Sequence, residues 1–420
     1  MKPKLLTTLP GYTPRLFAGD ALASITVAMV ALPLSIAIAI ASGATPAAGL
    51  VTAVVAGFLI SALGGSRVQI GGPTGAFIVI VYGVVQAHGF DGLLLATLMA
   101  GMILVVAGLL RAGRLIALIP EAVIEGFTVG IAIVIAASQL KDLLGLETGA
   151  VPAEFIAKVE TLWAARASLN GAAVVAGVAT IAVIFLLRRI APRLPGPLIA
   201  VALASAGVAA LRYSVDTVGS RYGLLPSGLP WPSLPPVSAE KIHALLPSAF
   251  VIAFLAGVES LLSALVADRM IGGAHRSNAE LLAQGAANIA SPLFGGLPAT
   301  GAIARTATNV RAGGRTPVAG MLHAVAILVF MMVAAPLVGY LIMPALAGLL
   351  IVAAWTMSEP HRWPERLRAP LGDRCLLALT MTLTVLADLT VAIAVGTAIG
   401  LAMRFARREE ASSDWIPPER

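Results

Sequence analysis

Two similar stretches decide the fold, GGPTGA at residues 71–76 and GGLPATGA at residues 295–302. Each has a glycine pair and a proline and then Thr-Gly-Ala, which is typical of a chain that arrives extended and begins a helix. Both lie among segments apolar enough for lipid, where irregular backbone persists only if it is buried or lines a cavity. Two such breaks in corresponding positions predict a transport site built from discontinuous helices. Two ordinary glycine-rich loops at the membrane edge would not explain the shared Thr-Gly-Ala.

The composition predicts a polytopic membrane protein. The 420 residues are 58% hydrophobic and only 12% charged, and the mean hydropathy is +0.93. A soluble domain has about a quarter charged residues. The net charge of +7 is better explained by cytoplasmic Lys and Arg than by nucleic acid, so we expect no nucleic-acid partner. We expect no cleavable signal peptide, and the lone Cys375 excludes an internal disulfide framework.

Apolar runs bounded by charge, Gly or Pro predict fourteen membrane helices. Helices 3, 9 and 10 are too polar for hydropathy alone and are placed from the repeat. Numbered 1 to 14, the predicted helices cover residues 20–41, 45–63, 73–87, 91–110, 120–139, 169–190, 195–211, 247–268, 278–293, 299–310, 316–335, 337–357, 372–386 and 389–406.

The positions of the basic residues predict the topology. With fourteen spans both termini share one side, and that side holds 21 of the 28 Lys and Arg residues. The positive-inside rule therefore predicts cytoplasmic termini. One basic residue, Arg305, falls inside predicted helix 10.

The two halves of the chain correspond at a constant offset. Adding 226 to Thr74 gives Thr300, and adding 226 to Pro33 gives Glu259. A proline-rich loop at residues 212–246 separates the halves. Because each half has seven helices, an odd number, the second is inverted in the membrane. The predicted fold class is an all-α polytopic membrane protein with a 7+7 inverted repeat, in which helices 3 and 10 are broken.

The starts of the broken helices predict an anion site. Unpaired N–H groups and the helix dipole place partial positive charge there, and small residues admit a ligand to the backbone. Close helix packing through small residues is the alternative. The predicted substrate-binding residues are Thr74, Gly75, Ala76, Phe77, Thr300, Gly301, Ala302 and Arg305.

Glu259 lies halfway along predicted helix 8, among apolar residues. An ionisable side chain at this depth is expensive and usually functional. We expect it to bind the coupling ion, together with Ser263, which lies four residues on and shares its helix face. A neutral carboxyl that only bonds a neighbouring helix is the alternative.

Arg305 needs a partner for its charge, and both a bound anion and Glu259 qualify. A structural role for this side chain is equally open. His323 in predicted helix 11 is interpreted as a core histidine. We find no Walker loop, no His/Cys metal spacing and no nucleophile elbow. The sequence therefore predicts neither an enzyme nor a bound cofactor.

Three motifs in order resemble the sulfate permease (SulP) / solute carrier 26 family. GFTVGI at residues 126–131, running on to SQLKDLLG at 138–145, resembles the family's fifth helix. ESLLSALVAD at residues 259–268 and GLPATGAIARTATN at residues 296–309 resemble its eighth and tenth helices. The resemblance covers essentially the whole chain.

The resemblance implies a core domain, a gate domain, elevator-like alternating access and a homodimer. Members of the family usually carry a cytoplasmic STAS domain, but the residues after Arg407 are too few to form one. Either this member lacks the domain or the sequence stops before it. LPLS at residues 32–35 replaces the Pro-Gln pattern of many sulfate permeases, so the resemblance does not establish sulfate as the substrate. The implied division is a cytoplasmic segment 1–19, core helices 20–110, gate helices 120–211, an extracytoplasmic loop 212–246, core helices 247–335, gate helices 337–406 and a cytoplasmic tail 407–420.

The sequence thus predicts a secondary active transporter of small anions in a bacterial inner membrane, with membrane lipid around it. Bicarbonate, sulfate and dicarboxylates are the candidate substrates, and proton-coupled symport is the expected mechanism. A sodium-coupled bicarbonate symporter is the closest alternative, so the coupling ion is H⁺ or Na⁺. A passive anion channel and a nucleobase permease of the same fold stay open.

Overall fold

The computed structural model describes residues 2–114, 120–192, 194–387 and 389–407. Eight helices in this part of the chain are long and apolar enough to cross a membrane. The protein is therefore an all-helical polytopic membrane protein, as the composition predicts. The described ranges also contain two short strands, β1 (Gly71–Gly72) and β2 (Thr300–Gly301), of two residues each.

Helices make up most of both halves of the chain. In the first half they are α1 (Lys4–Thr8), α2 (Pro14–Ala41), α3 (Pro46–Leu63), α4 (Ile78–Leu109), α5 (Glu121–Leu144), α6 (Phe155–Ala164), α7 (Gly171–Ile190), α8 (Gly196–Leu211) and α9 (Val218–Tyr222). In the second half they are α10 (Ala239–Ile271), α11 (Ser277–Leu293), α12 (Ile303–Arg311), α13 (Pro317–Val338), α14 (Met343–Met357), α15 (Trp363–Arg368), α16 (Leu371–Leu386) and α17 (Leu389–Arg407).

The chain forms two compact units, each built from both halves of the sequence. The first unit takes the described residues before 117 together with residues 225–335, and it contains β1 and β2. The second unit takes the described residues of 117–224 and of 336–412. Helices α5, α7 and α14 pack together in the second unit, and α3, α4, α10 and α11 pack together in the first.

Residues 212–246 are not a plain loop, which corrects the prediction. Helix α9 begins with a capping box in which Thr217 and Ser220 bond each other's backbone N–H groups. Helix α10 begins at Ala239, eight residues before the predicted start, because the Ser238 hydroxyl accepts from the N–H of Lys241. Pro247 lies inside α10 and does not end it.

The predicted helix 337–357 begins only at Met343, and the reason is a backbone pairing in the second unit. The N–H of Val218 donates to the Leu341 carbonyl at 2.8 Å, and that of Gly219 donates to the Gly339 carbonyl at 2.9 Å. The Met343 N–H donates to the carbonyl of Asp216, also at 2.8 Å. The chain before Met343 is thus held in non-helical form by the segment that starts α9.

Asp20 fixes the start of α13 against the start of α2. Its carboxylate accepts the N–H groups of Arg315 and Thr316, at 2.9 and 3.3 Å, and the Tyr12 hydroxyl at 3.1 Å. Burial, and then the charge of Asp20, raise the pKa of Tyr12 to about 12, so the phenol stays a donor at physiological pH. Helices α2 and α13 therefore begin at the same end of the first unit.

Helices α4 and α11 approach each other through two glycines. A Cβ on Gly101 would lie 2.7 Å from the Ile289 nitrogen and 2.8 Å from the Gly285 carbonyl oxygen. A Cβ on Gly285 would in turn lie 2.9 Å from the Gly101 carbonyl oxygen. Neither position tolerates a side chain without separating the helices, as is common where membrane helices pack through small residues.

We expect Gly101→Ala to lower the thermal unfolding midpoint of the purified protein in detergent. Overpacking of this kind costs about 1–3 kcal/mol. The matched control is Gly207→Ala in α8, where a new Cβ meets no atom within 4 Å. The control should be neutral or more stable by up to about 1 kcal/mol, since Ala favours a helix. Equal midpoints for the two variants would contradict this packing of α4 on α11.

Candidate anion-binding site

The two glycine-rich stretches lie side by side in the first unit. Strands β1 and β2 pair antiparallel, with Gly71 opposite Gly301 and Gly72 opposite Thr300. One more bond extends the pairing, from the Ala302 N–H to the Ile70 carbonyl at 2.8 Å. Residues separated by more than 200 positions thus form one centre.

Each strand leads directly into a helix. After β1 a 3₁₀ turn at Gly75–Phe77 passes into α4, and after β2 helix α12 begins at Ile303. Helix therefore starts a few residues later than predicted for residues 73–87 and 299–310, because strand pairing holds the chain extended. Neither preceding residue, Thr74 or Ala302, caps its helix with a side-chain hydrogen bond. The first N–H groups of both helices stay available to a ligand.

Helix α11 holds the segment that leads into β2. The Asn288 side-chain amide accepts from the Ala299 N–H at 2.9 Å and donates to the Ala299 carbonyl at 2.8 Å. The Ser291 hydroxyl donates to the Leu297 carbonyl at 2.7 Å, and the Leu297 N–H donates to the Thr52 hydroxyl at 2.6 Å. Asn288 therefore bonds Ala299, the residue before β2, as a neighbouring strand would.

Glu280 is a fully buried acid near Glu259, and the sequence reasoning missed it. Its carboxylate accepts four hydrogen bonds, from the Gly65 N–H at 2.9 Å, the Ser66 N–H at 3.3 Å, the Ser260 hydroxyl at 2.9 Å and the Gln284 amide at 3.0 Å. The side chain is fully buried. These bonds join the segment after α3 to α10 and α11. The bonded residue of α10, Ser260, directly follows Glu259.

A sequence signal for this face of α11 exists. Glu280, Gln284 and Asn288 recur every four residues, which places them on one helix face. In an otherwise apolar chain, such a polar stripe predicts a face turned toward a polar centre.

Arg305 is the third residue of α12, in the first turn of the helix, and it is only 2% exposed. Its Nη2 donates to the Ser35 hydroxyl and to the Pro73 carbonyl, both at 3.1 Å. Among the described residues, its Nε and Nη1 have no hydrogen-bond partner. Gly72 makes room for it, since a Cβ there would overlap Nη1.

Glu259 bonds Thr74 and not Arg305. The Thr74 hydroxyl donates to Glu259 Oε2 at 3.0 Å, and both side chains are partly exposed. Within the described ranges no ion pair joins Glu259 to Arg305. Of the two partners that the sequence leaves open for Arg305, the acid is therefore not the one used.

Thr300 and Ser263 have other partners. The fully buried Thr300 donates its hydroxyl to the Ala256 carbonyl at 2.9 Å, which ties β2 to α10. The buried Ser263 hydroxyl lies 3.2 Å from that of Thr306 in α12. The two threonines that the repeat relates are thus different, because Thr74 alone bonds the acid.

The other predicted residues line the same centre. Ala76 and Phe77 are 1% and 2% exposed, and Ala302 is 9% exposed. Gly301 packs against Gln69, whose amide nitrogen a Cβ would overlap. The Gln69 amide in turn donates to the Ser260 hydroxyl at 2.8 Å.

This arrangement can bind an anion next to a cation or proton. Arg305 supplies a full positive charge, the two helix starts supply partial ones, and Thr74 supplies a hydroxyl. Glu259 is partly exposed, and among the described residues its carboxylate accepts a hydrogen bond from Thr74 alone. The part of the chain that the structure describes contains no cluster of three His, Cys, Asp or Glu side chains suited to a metal ion.

Comparisons with known proteins show which family the chain resembles. The model of the sulfate permease family matches residues 17–380. A Bacillus subtilis (strain 168) protein named "Putative sulfate transporter YvdB" is 42% identical over 405 residues, which are 96% of this chain and 76% of that protein. "Bicarbonate transporter BicA" of Picosynechococcus sp. is 30% identical over 416 residues, covering 95% of this chain and 72% of that protein.

Solved structures share the fold. The transmembrane domain of a cyanobacterial bicarbonate transporter BicA matches with a TM-score of 0.83 at 30% identity, covering 91% of this chain and 98% of that one. The overall structure of SLC26A9 matches with a TM-score of 0.86, covering 96% of this chain and 68% of that one. Its 19% identity makes it a likeness of fold alone.

We expect Asn288→Leu to destabilise the protein strongly. The change leaves the N–H and carbonyl of Ala299 unpaired, and each buried unpaired group costs about 1–3 kcal/mol. The control, Asn278→Leu on the same helix, loses only a 3.2 Å bond from the Gly113 N–H. Thermal unfolding in detergent should give a clearly lower midpoint for Asn288→Leu than for the control. Similar midpoints would mean that β2 does not depend on α11.

Proposed function

Because the chain belongs to the sulfate permease family, we propose that it is a secondary active transporter of small anions. Bicarbonate, sulfate and dicarboxylates are the proposed substrates, and uptake is proposed to be proton-coupled symport. The observation that carries the proposal is the buried, incompletely bonded guanidinium of Arg305.

A guanidinium in a membrane interior requires compensation, because transfer of a charge out of water is expensive. The described partners of Arg305 are neutral oxygens, so its positive charge is unmatched. A bound anion would supply both the missing charge and acceptors for Nε and Nη1. Arginine suits this task, since its planar fork binds carboxylates and other oxyanions through two parallel bonds.

The helix starts complete the proposed anion site. Residues 74–77 and 300–302 bring two sets of backbone N–H groups to the same place as Arg305. Small residues there allow an anion to reach the backbone. Thr300 and Phe77 contribute by shaping this centre, because they are buried.

Coupling is proposed to arise from the contact between Thr74 and Glu259. Pro73 bonds Arg305 and the next residue, Thr74, bonds Glu259, so the anion and coupling-ion positions flank one short segment. A carboxylate repels a nearby anion. A proton or Na⁺ on Glu259 removes that repulsion, so the anion and the coupling ion favour each other's binding. We assign Ser263 to the support of α12, given its bond to Thr306.

We further propose the membrane arrangement that the repeat predicts. Fourteen spans form a 7+7 inverted repeat with both termini in the cytoplasm of a bacterial cell. The first unit is the proposed core domain that carries the anion, and the second is the proposed gate domain of a homodimer. Motion of the core against the gate would expose the site to each side in turn.

We expect Glu259→Gln to abolish concentrative uptake while substrate binding persists. The amide keeps the shape of the acid and loses its charge, so gradients of H⁺ and Na⁺ no longer act through it. The measurement is uptake of labelled sulfate and bicarbonate into proteoliposomes under imposed H⁺ or Na⁺ gradients. Exposed Glu240→Gln, near the start of α10, is the control. Accumulation by Glu259→Gln as in the wild type would exclude Glu259 as the coupling residue, and the gradient that drives the wild type identifies the ion.

We expect Arg305→Gln to weaken anion affinity about 10- to 100-fold. A hydrogen bond to a charged group contributes about 1.5–3 kcal/mol. Calorimetric titration of the purified variant with sulfate and with bicarbonate measures the change directly. Exposed Arg311→Gln at the other end of α12 is the control and should bind as the wild type does. Unchanged affinity of Arg305→Gln for both anions would remove the arginine from the site.

A further inference from the structure

A groove with an apolar lining runs between α4 and α10 on the first unit. It encloses about 460 Å³, and all ten side chains that line it are apolar. Three of them, Leu95, Met99 and Met102, recur at the spacing of one face of α4. Leu95 and Met99 are buried and form the floor of the groove, whereas Met102 is 47% exposed and forms a rim.

The opposite wall is the beginning of α10, which the sequence assigns to a loop. Ile242, Leu246 and Phe250 recur every four residues and therefore share a helix face. This wall exists because the Ser238 hydroxyl caps the helix and starts it well before the predicted membrane run. Val237, directly before the cap, also lines the groove.

The surroundings of the groove indicate what fills it. Both walls belong to helices that are long and apolar enough to cross a membrane. Val106 on α4 and Phe250 on α10 are each 54% exposed, so the groove opens on the surface of the described first unit. Water needs polar partners and does not settle between apolar side chains. Hydrocarbon is therefore the chemistry that suits the groove, and in a membrane its source is the acyl chain of a lipid.

The dimensions of the groove select a single chain. Its lining residues on α4 run from Leu95 to Val106, which is a length of about 16.5 Å at the helical rise. Over that length the volume corresponds to a mean cross-section of about 28 Å². A helix with its side chains is about 10–12 Å wide, which is a cross-section of roughly 80–110 Å². The groove thus accepts an extended hydrocarbon chain and is too narrow to take in a helix of a partner or of a second copy.

We propose that this groove binds one acyl chain of a membrane lipid. A chain between two walls makes more van der Waals contacts than a chain on a flat helix surface, so it exchanges less readily with the surrounding membrane. The two helices that it joins carry parts of the proposed anion site, since α4 follows the turn Gly75–Phe77 and α10 contains Glu259. The bound chain stabilises the packing of these two helices, whichever anion the protein transports.

Native mass spectrometry tests the proposal by counting the lipids that stay bound when the protein passes from phosphatidylcholine vesicles into detergent. Met102→Trp fills the groove from its rim and should lower the count by one lipid per protein chain. Met332→Trp on α13 is the matched control, because Met332 is 60% exposed on another apolar helix and does not line the groove. The count of the control should equal that of the wild type.

Thermal unfolding in detergent separates a bound chain from a bound head group. Long-chain phosphatidylcholine should raise the midpoint of the wild type and of Met332→Trp, whereas dihexanoyl phosphatidylcholine, with the same head group and short chains, should not. Leu246→Trp on the opposite wall is the second groove variant, and it should lose the bound lipid and the stabilisation as Met102→Trp does.

Three results would overturn the inference. The first is an equal lipid count in the wild type and in both groove variants. The second is equal stabilisation by the long-chain and the dihexanoyl lipid, which would place the contact at the head group. The third is a change of oligomeric mass in the groove variants at an unchanged lipid count, which would assign the groove to a second copy of the chain.

Discussion

The structure depends on one constraint, which is that backbone polar groups at membrane depth must be bonded inside the protein because lipid offers them nothing. The extended residues around β1 and β2 meet it by pairing with each other. The Asn288 amide and the Ser291 and Thr52 hydroxyls bond the segment that leads into β2. The polar face of α11 exists for this reason, and it brings Glu280 into the core.

A few polar groups in the described part of the first unit have no partner, and they make up the proposed site. Strand pairing uses the groups before each helix, while the first N–H groups of α12 and of the turn after β1 have no side-chain cap. Arg305 adds two nitrogens without partners among the described residues, and Glu259 accepts only from Thr74 there. Glu280, by contrast, accepts four hydrogen bonds. The two acids, which meet at neighbouring residues of α10, therefore have different surroundings: the described contacts leave Glu259 with free acceptor capacity, whereas Glu280 is bonded to three segments.

The sequence predicted the residues of the candidate site better than it predicted the residues that hold this site in place. Composition predicted the all-helical membrane fold, and the repeated Thr-Gly-Ala predicted two breaks, which the structure places together. The roles of Arg305 and Glu259 stay predictions, although the contacts around both side chains are known.

Glu280 and Asn288 were missed because hydropathy treats α11 only as a weakly apolar span. Their structural importance depends on distant partners, which are the segment after α3 for Glu280 and the residue before β2 for Asn288. The difference between Thr74 and Thr300 was also hidden, since it is set by what each hydroxyl meets. The late start at Met343 depends on a pairing with residues 216–219 at the start of α9, and no local sequence pattern predicts that pairing.

The central claim is that the two broken stretches form one anion site with Arg305. Its most direct test is an anomalous difference map of crystals grown with selenate, a heavy analogue of sulfate. We predict a selenium peak between the turn Gly75–Phe77 and the start of α12, close enough to the Arg305 guanidinium for a selenate oxygen to accept a hydrogen bond from it. A selenate bound elsewhere in the membrane-spanning part, with no peak at Arg305, would contradict the claim.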